Sequence, residues 1–350
     1  MHHMPTVTKM VPKWLAPQCL LLAFKEKFDL GDFYVLDTWP FGPPMILACS
    51  PKISDQFVVA RSMPKGKEVL DFMIPIAGKE NMVSDEGERW RVWRRAFNPG
   101  FSAAHLMTLA PDIIEHVKVF CQILESHAKN DKLFRMEKCA TRLTIDIIGK
   151  IVLDTEFGSQ TRENELVSAF ESQVRWMPIG AVNHPEEILD LRRPFVLWWN
   201  SHVMRRYLSN QLEQRFAQRS SRNNKSRYVV DLAFDVYMKE KGLSPEKADR
   251  LDPTFKEAAV AQIRTFIFAG HDTSSGAICY CFYHLSRNPS VLATLRRECD
   301  QVLGEDITQV TEVLKNDPHL INKMEYLNAV IRESLRMHPP ASSMRHGAKE

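Results

Sequence analysis

The segment from Phe255 to about Ser286 constrains this chain more than any other. It opens on Asp252-Pro253, with the acid outside and the proline near the first turn, as a helix start requires. A helix over 255–287 would be roughly 45–50 Å long at 1.5 Å per residue, enough to cross a whole domain. From Phe266 to Ala269 it is apolar on every side, which predicts burial. Gly270, Asp272, Thr273, Ser274, Ser275 and Gly276 then follow within the same stretch. Glycine inside a helix costs about 1 kcal/mol relative to alanine. A buried aspartate without a partner costs more still. Core packing asks for neither. A local widening or kink accounts for the cluster, with small residues opening space beside the backbone and Asp272 and Thr273 facing it. A helix break, with Asp272 capping a second helix, is the alternative on these residues alone.

The 350 residues suit one large domain or two ordinary ones. With 44% hydrophobic and 25% charged residues, the composition is that of a globular protein with a real core. It excludes extended disorder, a collagen-like chain, a disulfide scaffold and a multi-span membrane protein. The 46 Lys+Arg face 43 Asp+Glu, and a net charge of +3 is no footprint for nucleic acid.

The seven cysteines (Cys19, Cys49, Cys121, Cys139, Cys279, Cys281 and Cys299) are scattered and form no C-x-x-C. They are expected to be free thiols in a reducing compartment, mostly buried. The apolar run Cys19–Phe24 ends at Lys25 and is far short of the about 20 residues a bilayer span needs. Met1-His2-His3 is not the charged start of a signal peptide. Arg192-Arg193 precede Pro194-Phe195-Val196-Leu197-Trp198-Trp199, a knot that could dip into a membrane surface. A helix start packed on the core is the expectation there. Between Arg205 and Arg227 the only acid is Glu213, and the stretch includes the polar run Ser220–Lys225. It is expected to be a solvated helix end and loop rather than an anion-binding patch.

Strand signals lie early. Phe33–Leu36 and Met45–Cys49 flank Pro40–Pro44, a turn, and suggest a small hairpin. From Asp85 on the chain reads as helices. The first ends at Asn98-Pro99-Gly100, and others cover 106–127, 137–153, 164–176, 196–219, 255–287, 290–302 and 324–337. The fold class is therefore mainly α with a small β part.

Ala269-Gly270-His271-Asp272-Thr273-Ser274 resembles the [A/G]-G-x-[D/E]-T-[T/S] signature of the cytochrome P-450 family, the haem-thiolate monooxygenases. Trp90-Arg91-Val92-Trp93-Arg94 resembles its W-x-x-x-R. Glu333-Ser334-Leu335-Arg336, then Pro339-Pro340 and Arg345, resembles its E-x-x-R followed by P-P-x-x-x-x-R. E-x-x-R alone says little, since Glu86/Arg89 and Glu88/Arg91 also have it. The three motifs in order, over residue 30 to the end, are far more specific.

The resemblance implies one domain of that fold over 1–350, with 1–30 a lead-in that has no membrane anchor. It implies haem as cofactor and NADPH electrons delivered through a cytochrome P-450 reductase. Arg94 and Arg345, with the Trp90 indole N–H, would hold the haem propionates. Arg91 and Arg95, if exposed, resemble the surface that receives the electron donor. Ala269 and Gly270 would let haem and dioxygen approach the backbone. Asp272 and Thr273 would be catalytic, forming the proton relay. Glu333 and Arg336, one turn apart, would be structural. A hydrophobic small-molecule substrate would meet the loop around Val69–Val83, Phe266, Ala269 and Ala341–Met344. Phe97-Asn98-Pro99-Gly100-Phe101 looks like fungal secondary-metabolite members. A monomer is expected, at the endoplasmic reticulum membrane for the full-length type. For this anchor-less chain the expected place is cytoplasmic or peripheral.

The family's ligand loop, F-x-x-G-x-R-x-C-x-G, is matched by none of the seven cysteines, so no metal ligand is assigned; the last, Cys299, precedes Glu333. The sequence ends five residues past Arg345. Two expectations stay open: part of a monooxygenase, or a haem-poor, non-catalytic binding or interaction protein. A helical scaffold without cofactor is a third, and it leaves Asp272-Thr273 unexplained.

Overall fold

The computed structural model describes residues 17–37, 44–61, 63–177, 190–218, 228–241, 251–341 and 344–347. Met1–His3, most of the expected turn at 40–44 and the run Ser220–Lys225 lie outside them. The chain divides into two compact units.

The first comprises residues 1–71, 176–194 and 342–350. Helix α1 (Pro17–Lys27) precedes the expected hairpin, β1 (Phe33–Leu36) and β2 (Met45–Ala48). The strands run antiparallel, from Phe33 opposite Ala48 to Leu36 opposite Met45. Residues of a strand alternate between faces, so Tyr34 turns inward against Phe24 while Phe33 and Val35 stay exposed. The Tyr34 hydroxyl donates to the Leu21 carbonyl at 2.8 Å. Helix α2 (Pro51–Asp55) follows, capped by Ser50. In the same unit Arg345 pairs with Lys65 in an antiparallel bridge, and the His346 N–H donates to Pro64 O at 2.8 Å.

The second unit comprises 72–175 and 195–341. Helix α3 (Lys67–Ala77) replaces the loop expected around Val69–Val83; only 78–85 is loop, begun by Gly78 at φ +97°. The run Lys-Glu-Val-Leu-Asp-Phe-Met-Ile is a sound helix, and Pro75 sits near its end, where few bonds remain to break. Then come α4 (Gly87–Phe97), α5 (Ala103–Thr108), α6 (Ala110–Lys129), α7 (Met136–Leu153) and α8 (Glu165–Arg175). After them lie α9 (Arg193–Ala217), α10 (Val229–Lys241), α11 (Pro253–Arg287), α12 (Pro289–Leu303), α13 (Val310–Asn316) and α14 (Glu325–Met337). The segment expected over 106–127 is two helices, parted at Leu109 by Pro111 in the first turn of the second. Helices α10 and α13 were not expected.

The 35-residue α11 is continuous, about 52 Å long at 1.5 Å per residue. Asp252 caps it, accepting from the N–H groups of Thr254 and Phe255 at 2.9 and 3.0 Å. The alternative break at Asp272 is absent from it. Its main partner is α7. The Thr144 hydroxyl lies 2.9 Å from the His271 carbonyl, and the Thr141 and Ser275 hydroxyls lie 3.4 Å apart. Aromatic side chains of α4 and α11 interlock: Trp93 stacks on Phe255 at 5.7 Å and Phe97 meets Phe266 edge-on at 4.9 Å.

Candidate functional site

The polar cluster of α11 divides between two faces of one helix, because its members are a few residues apart at 100° each. His271 and Ser275 face inward. The His271 ring meets Phe170 edge-on, 5.2 Å between centroids, and its Nδ1 lies 2.9 Å from the carbonyls of Ile267 and Phe268. Gly270 also faces α7. A Cβ there would stand 2.9 Å from Ile148 Cδ1 and 3.0 Å from its Cγ1. The glycine therefore admits the close approach of α7.

The other face carries Ala269, Asp272, Thr273 and Gly276. Ala269 and Asp272 are exposed, Thr273 is half-buried, and a Cβ on Gly276 would meet no atom within 4 Å. Asp272 was expected to be buried. It is exposed because no described element covers this face, so its charge costs nothing in desolvation. The expected burial of Phe266–Ala269 is likewise partial: Ile267 is buried, Phe266 and Phe268 are half-buried. The Thr273 hydroxyl donates to Ala269 O at 2.6 Å, the back-bond that satisfies a hydroxyl in a helix without another partner.

On α4, Trp90 is 36% exposed and Arg94 is exposed with no carboxylate partner among the described residues. Arg91 and Arg95 are exposed, Arg91 pairing with Glu88 at 3.4 Å. Arg345, in the first unit, leaves its Nε buried without an acceptor, while its Nη1 reaches Met344 O at 3.4 Å. An orphaned guanidinium N–H is what a carboxylate would satisfy.

Glu333 and Arg336 form a two-pronged pair at 2.8 and 2.7 Å on α14. The guanidinium holds the Glu333 carboxyl below its usual range. Both are well exposed, and with Glu325, Asn328, Ala329 and Arg332 they line an open cleft of about 650 Å³.

Sequence reasoning missed two polar residues buried in α11. Gln262 Oε1 accepts from Met82 N–H at 2.9 Å and its Nε2 donates to Glu80 O at 3.1 Å. Arg264 donates to Pro75 O at 3.0 Å and to the Ser201 hydroxyl at 3.3 Å. Gln173 reaches the same Pro75 carbonyl at 2.6 Å. Burial pushes Arg264 down to about 10. Its cation lies at the C-terminal end of α3, where a helix presents unpaired carbonyls and negative potential. Together these side chains tie the 75–82 segment to the central helix. The only signal in the sequence was polarity on the wrong face of an apolar run.

The six cysteines whose side chains are described are free and less buried than expected: Cys121 is exposed and Cys49, Cys139, Cys279, Cys281 and Cys299 are intermediate, while the Cys19 side chain lies outside the description. Burial pushes the thiols of Cys121, Cys139, Cys279 and Cys299 up. Within the stretch expected to be solvated, Arg205 and Arg206 are exposed but Arg215 is buried. Arg215 lies between Asp154, at 3.1 Å, and Asp231, at 2.7 Å. Lys150 reaches Asp154 at 2.9 Å and Glu156 at 3.0 Å beside it.

A family model described as Cytochrome P-450 matches residues 22–350. The monooxygenase polC of Polytolypa hystricis, named as a cytochrome P-450, is 38% identical over 99% of this chain and 62% of its own length. The monooxygenase acrF of Aspergillus aculeatus, also so named, is 37% identical over 98% of this chain and 68% of its own. The chain thus spans about two thirds or less of these relatives. A crystal structure of a cytochrome P-450 superposes with a TM-score of 0.67 at 21% identity, covering 89% of this chain and 67% of the other, and shows the fold.

Proposed function

The chain belongs to the cytochrome P-450 family, and from that premise we propose a haem-dependent monooxygenase acting on a hydrophobic small molecule of the fungal secondary-metabolite type. The overall reaction takes RH, O2, two electrons and two protons to ROH and water. NADPH supplies the electrons through a reductase, received at the Arg91/Arg95 surface of α4. When bound, haem supplies the oxygen-transferring oxidant. The chain's own residues hold and protonate.

Arg94 and Arg345 bind the two haem carboxylates, helped by the Trp90 indole N–H. The buried Nε of Arg345, left without an acceptor, is the observation that carries this assignment. Ala269 and Gly276 leave one face of α11 free of side-chain bulk, which suits a flat macrocycle. Thr273 Oγ1 turns from Ala269 O to deliver a proton into the pocket. Asp272, exposed, takes protons from water and returns them to that hydroxyl. The 78–85 loop, Phe266 and Ala341–Met344 contact substrate. Glu333 and Arg336 brace the haem-binding core. The protein acts as a monomer at the endoplasmic reticulum membrane, with peripheral contact.

Haem titrated into the protein tests the holding residues. Saturable growth of a Soret band is expected, weakened in Arg94→Leu and Arg345→Leu. Equal binding by both variants would remove them from the site. The relay is tested with reductase and NADPH: Thr273→Ala should lower product formed per NADPH consumed, and an unchanged ratio would refute its role.

A further inference from the structure

We propose that Arg264 of α11 and Gln173 of α8 receive one hydroxyl group carried by the substrate. This gives the hydrophobic molecule proposed above a polar end, and rests on that reading. Both side chains lie deep in the second unit, Arg264 5% exposed and Gln173 1%. They are tied to one atom, since Arg264 Nη2 and Gln173 Nε2 donate to Pro75 O at 3.0 and 2.6 Å. Each also keeps a buried polar atom without a hydrogen-bond partner among the described residues, Nε of the guanidinium and Oε1 of the carboxamide. Buried groups left in this way are rare and ask for an occupant. Around them three helices repeat one pattern. Helix α3 brings Phe72 and, one turn on, the Pro75 carbonyl; α8 brings Phe170 and, one turn on, Gln173; α11 brings Phe268 and, one turn before it, Arg264. The Phe268 ring lies 5.9 Å from that of Phe72 and 6.4 Å from that of Phe170. A layer of rings thus adjoins a layer of polar groups, and the 78–85 loop proposed to meet substrate leaves directly from α3.

The two orphaned atoms select the chemistry. The Nε–H can only donate, and an amide oxygen can only accept. The Gln173 amide cannot be turned round, because its oxygen would then face the Pro75 oxygen. A hydroxyl accepts from Nε–H and donates to Oε1, so one small group meets both needs. A ketone would leave Oε1 unmet, and a carboxylate would set its charge against Oε1. The donor is present throughout the neutral range: burial pushes Arg264 down to about 10, so the guanidinium keeps its proton there. Among the described residues no acid competes for it. Its Nη1 reaches the Ser201 hydroxyl at 3.3 Å, and Glu257, two turns earlier on α11, pairs with Arg205 at 2.6 Å. The substrate so selected has an apolar body against Phe72, Phe170 and Phe268 and one alcohol beyond them. Phe72 and Phe268, both half-buried, are the rings it meets on entry. Such a molecule already carries oxygen, so a hydroxylation or a carbonyl reduction must supply it.

The test compares naphthylethanol with the matching ethylnaphthalene, which lacks only the hydroxyl, by equilibrium dialysis against the 350-residue protein. A purely apolar pocket prefers the hydrocarbon, so preference for the alcohol is diagnostic. The wild type should bind the alcohol at least about tenfold more tightly, because the analogue without the hydroxyl leaves the site's polar atoms unpaired. Arg264→Met and Gln173→Leu each remove one of those atoms and should reverse the preference, with helical circular dichroism intact. Either variant decides the matter where the other fails to fold. A wild type that prefers the hydrocarbon or binds neither compound, or a preference that survives in the folded variants, would overturn the assignment. So would a crystal structure in which an ordered water joins Nε to Oε1 and stays there with the alcohol bound elsewhere, since the pair would then belong to water. Haem uptake, read from the Soret band, reports on the monooxygenase reading separately. Preference for the alcohol without haem uptake would keep this receptor and fail that reading, and haem uptake without the preference would do the reverse.

Discussion

Gly270 and Gly276 lie six residues apart on the same helix, yet the same substitution should move stability in opposite directions. Alanine in a helix interior gains about 1 kcal/mol over glycine, and this applies to both. At Gly276 the new Cβ meets nothing within 4 Å, so Gly276→Ala should stabilise by about that amount. At Gly270 the Cβ would stand 2.9, 3.0 and 3.4 Å from Cδ1, Cγ1 and Cβ of Ile148. Cδ1 can swing away, but Cγ1 and Cβ move only with the rotamer or with α7. Overpacking of this kind costs about 1–3 kcal/mol, so Gly270→Ala should be neutral to destabilising by about 2 kcal/mol. Ile148→Val removes Cδ1 at a cost of about 0.5–1.5 kcal/mol alone. It should cost less in the Gly270→Ala background, giving a favourable coupling of about 1 kcal/mol in the double-mutant cycle. Urea unfolding followed at 222 nm reads all four proteins. Equal stabilisation by both alanines would refute the assignment of Gly270 to helix packing, as would strict additivity with Ile148→Val.

Three further outcomes follow from the polar contacts, two of them buried or partly buried and one exposed. Gln262→Leu strands the Met82 N–H and Glu80 carbonyl and should cost about 2–4 kcal/mol. Amide exchange should accelerate at Met82; unchanged protection there would mean the loop is held without Gln262. At Asp154, burial raises the carboxyl, but hydrogen bonds from Lys150, Arg215 and Tyr228 outweigh it and hold the group below its ordinary value. Its stabilisation is thus fully present above the unfolded pKa of about 4 and is lost as pH falls through the folded value. Asp154→Asn should cost about 2 kcal/mol at neutral pH, allowing for partial exposure, and should flatten the loss of stability below about pH 4. An identical acid limb in both proteins would contradict this. Glu333→Gln breaks an ion pair open to water, so the thermal midpoint of this chain should stay where it is. A fall as large as that of Asp154→Asn would show that the pair is structural within these residues.

Much of the architecture was legible because its signals are local. Asp252-Pro253 marked the start of α11, Asn98-Pro99-Gly100 the end of α4, and the β-prone runs either side of 40–44 the hairpin. What failed was inference about sides. An apolar stretch with polar residues inside it predicts burial for all of them only if the helix is covered all round. Here α11 is covered on the α7 side and open on the Ala269–Thr273 side, so His271 is buried and Asp272 is not. Periodicity assigns residues to faces, but only the neighbours decide which face is the interior. Phe195, Trp198 and Trp199 failed for the same reason: they were taken for core, and Val203, Met204 and Leu208 fill it. Arg215, Gln262 and Arg264 failed in the opposite sense. Each looked like a residue that belongs in water, and each is buried where a distant partner, Asp231, Glu80 or Pro75, meets at least one of its hydrogen-bonding groups, the Arg264 Nε alone being left without one. A buried polar group is stable only with its partner in place. Such a position is therefore a statement about two places in the chain, and one sequence shows only the first. These three side chains fix α10, the 78–85 loop and α3 against α9 and α11. The polar residues hardest to place from sequence are thus the ones that set the position of the segment proposed to meet substrate.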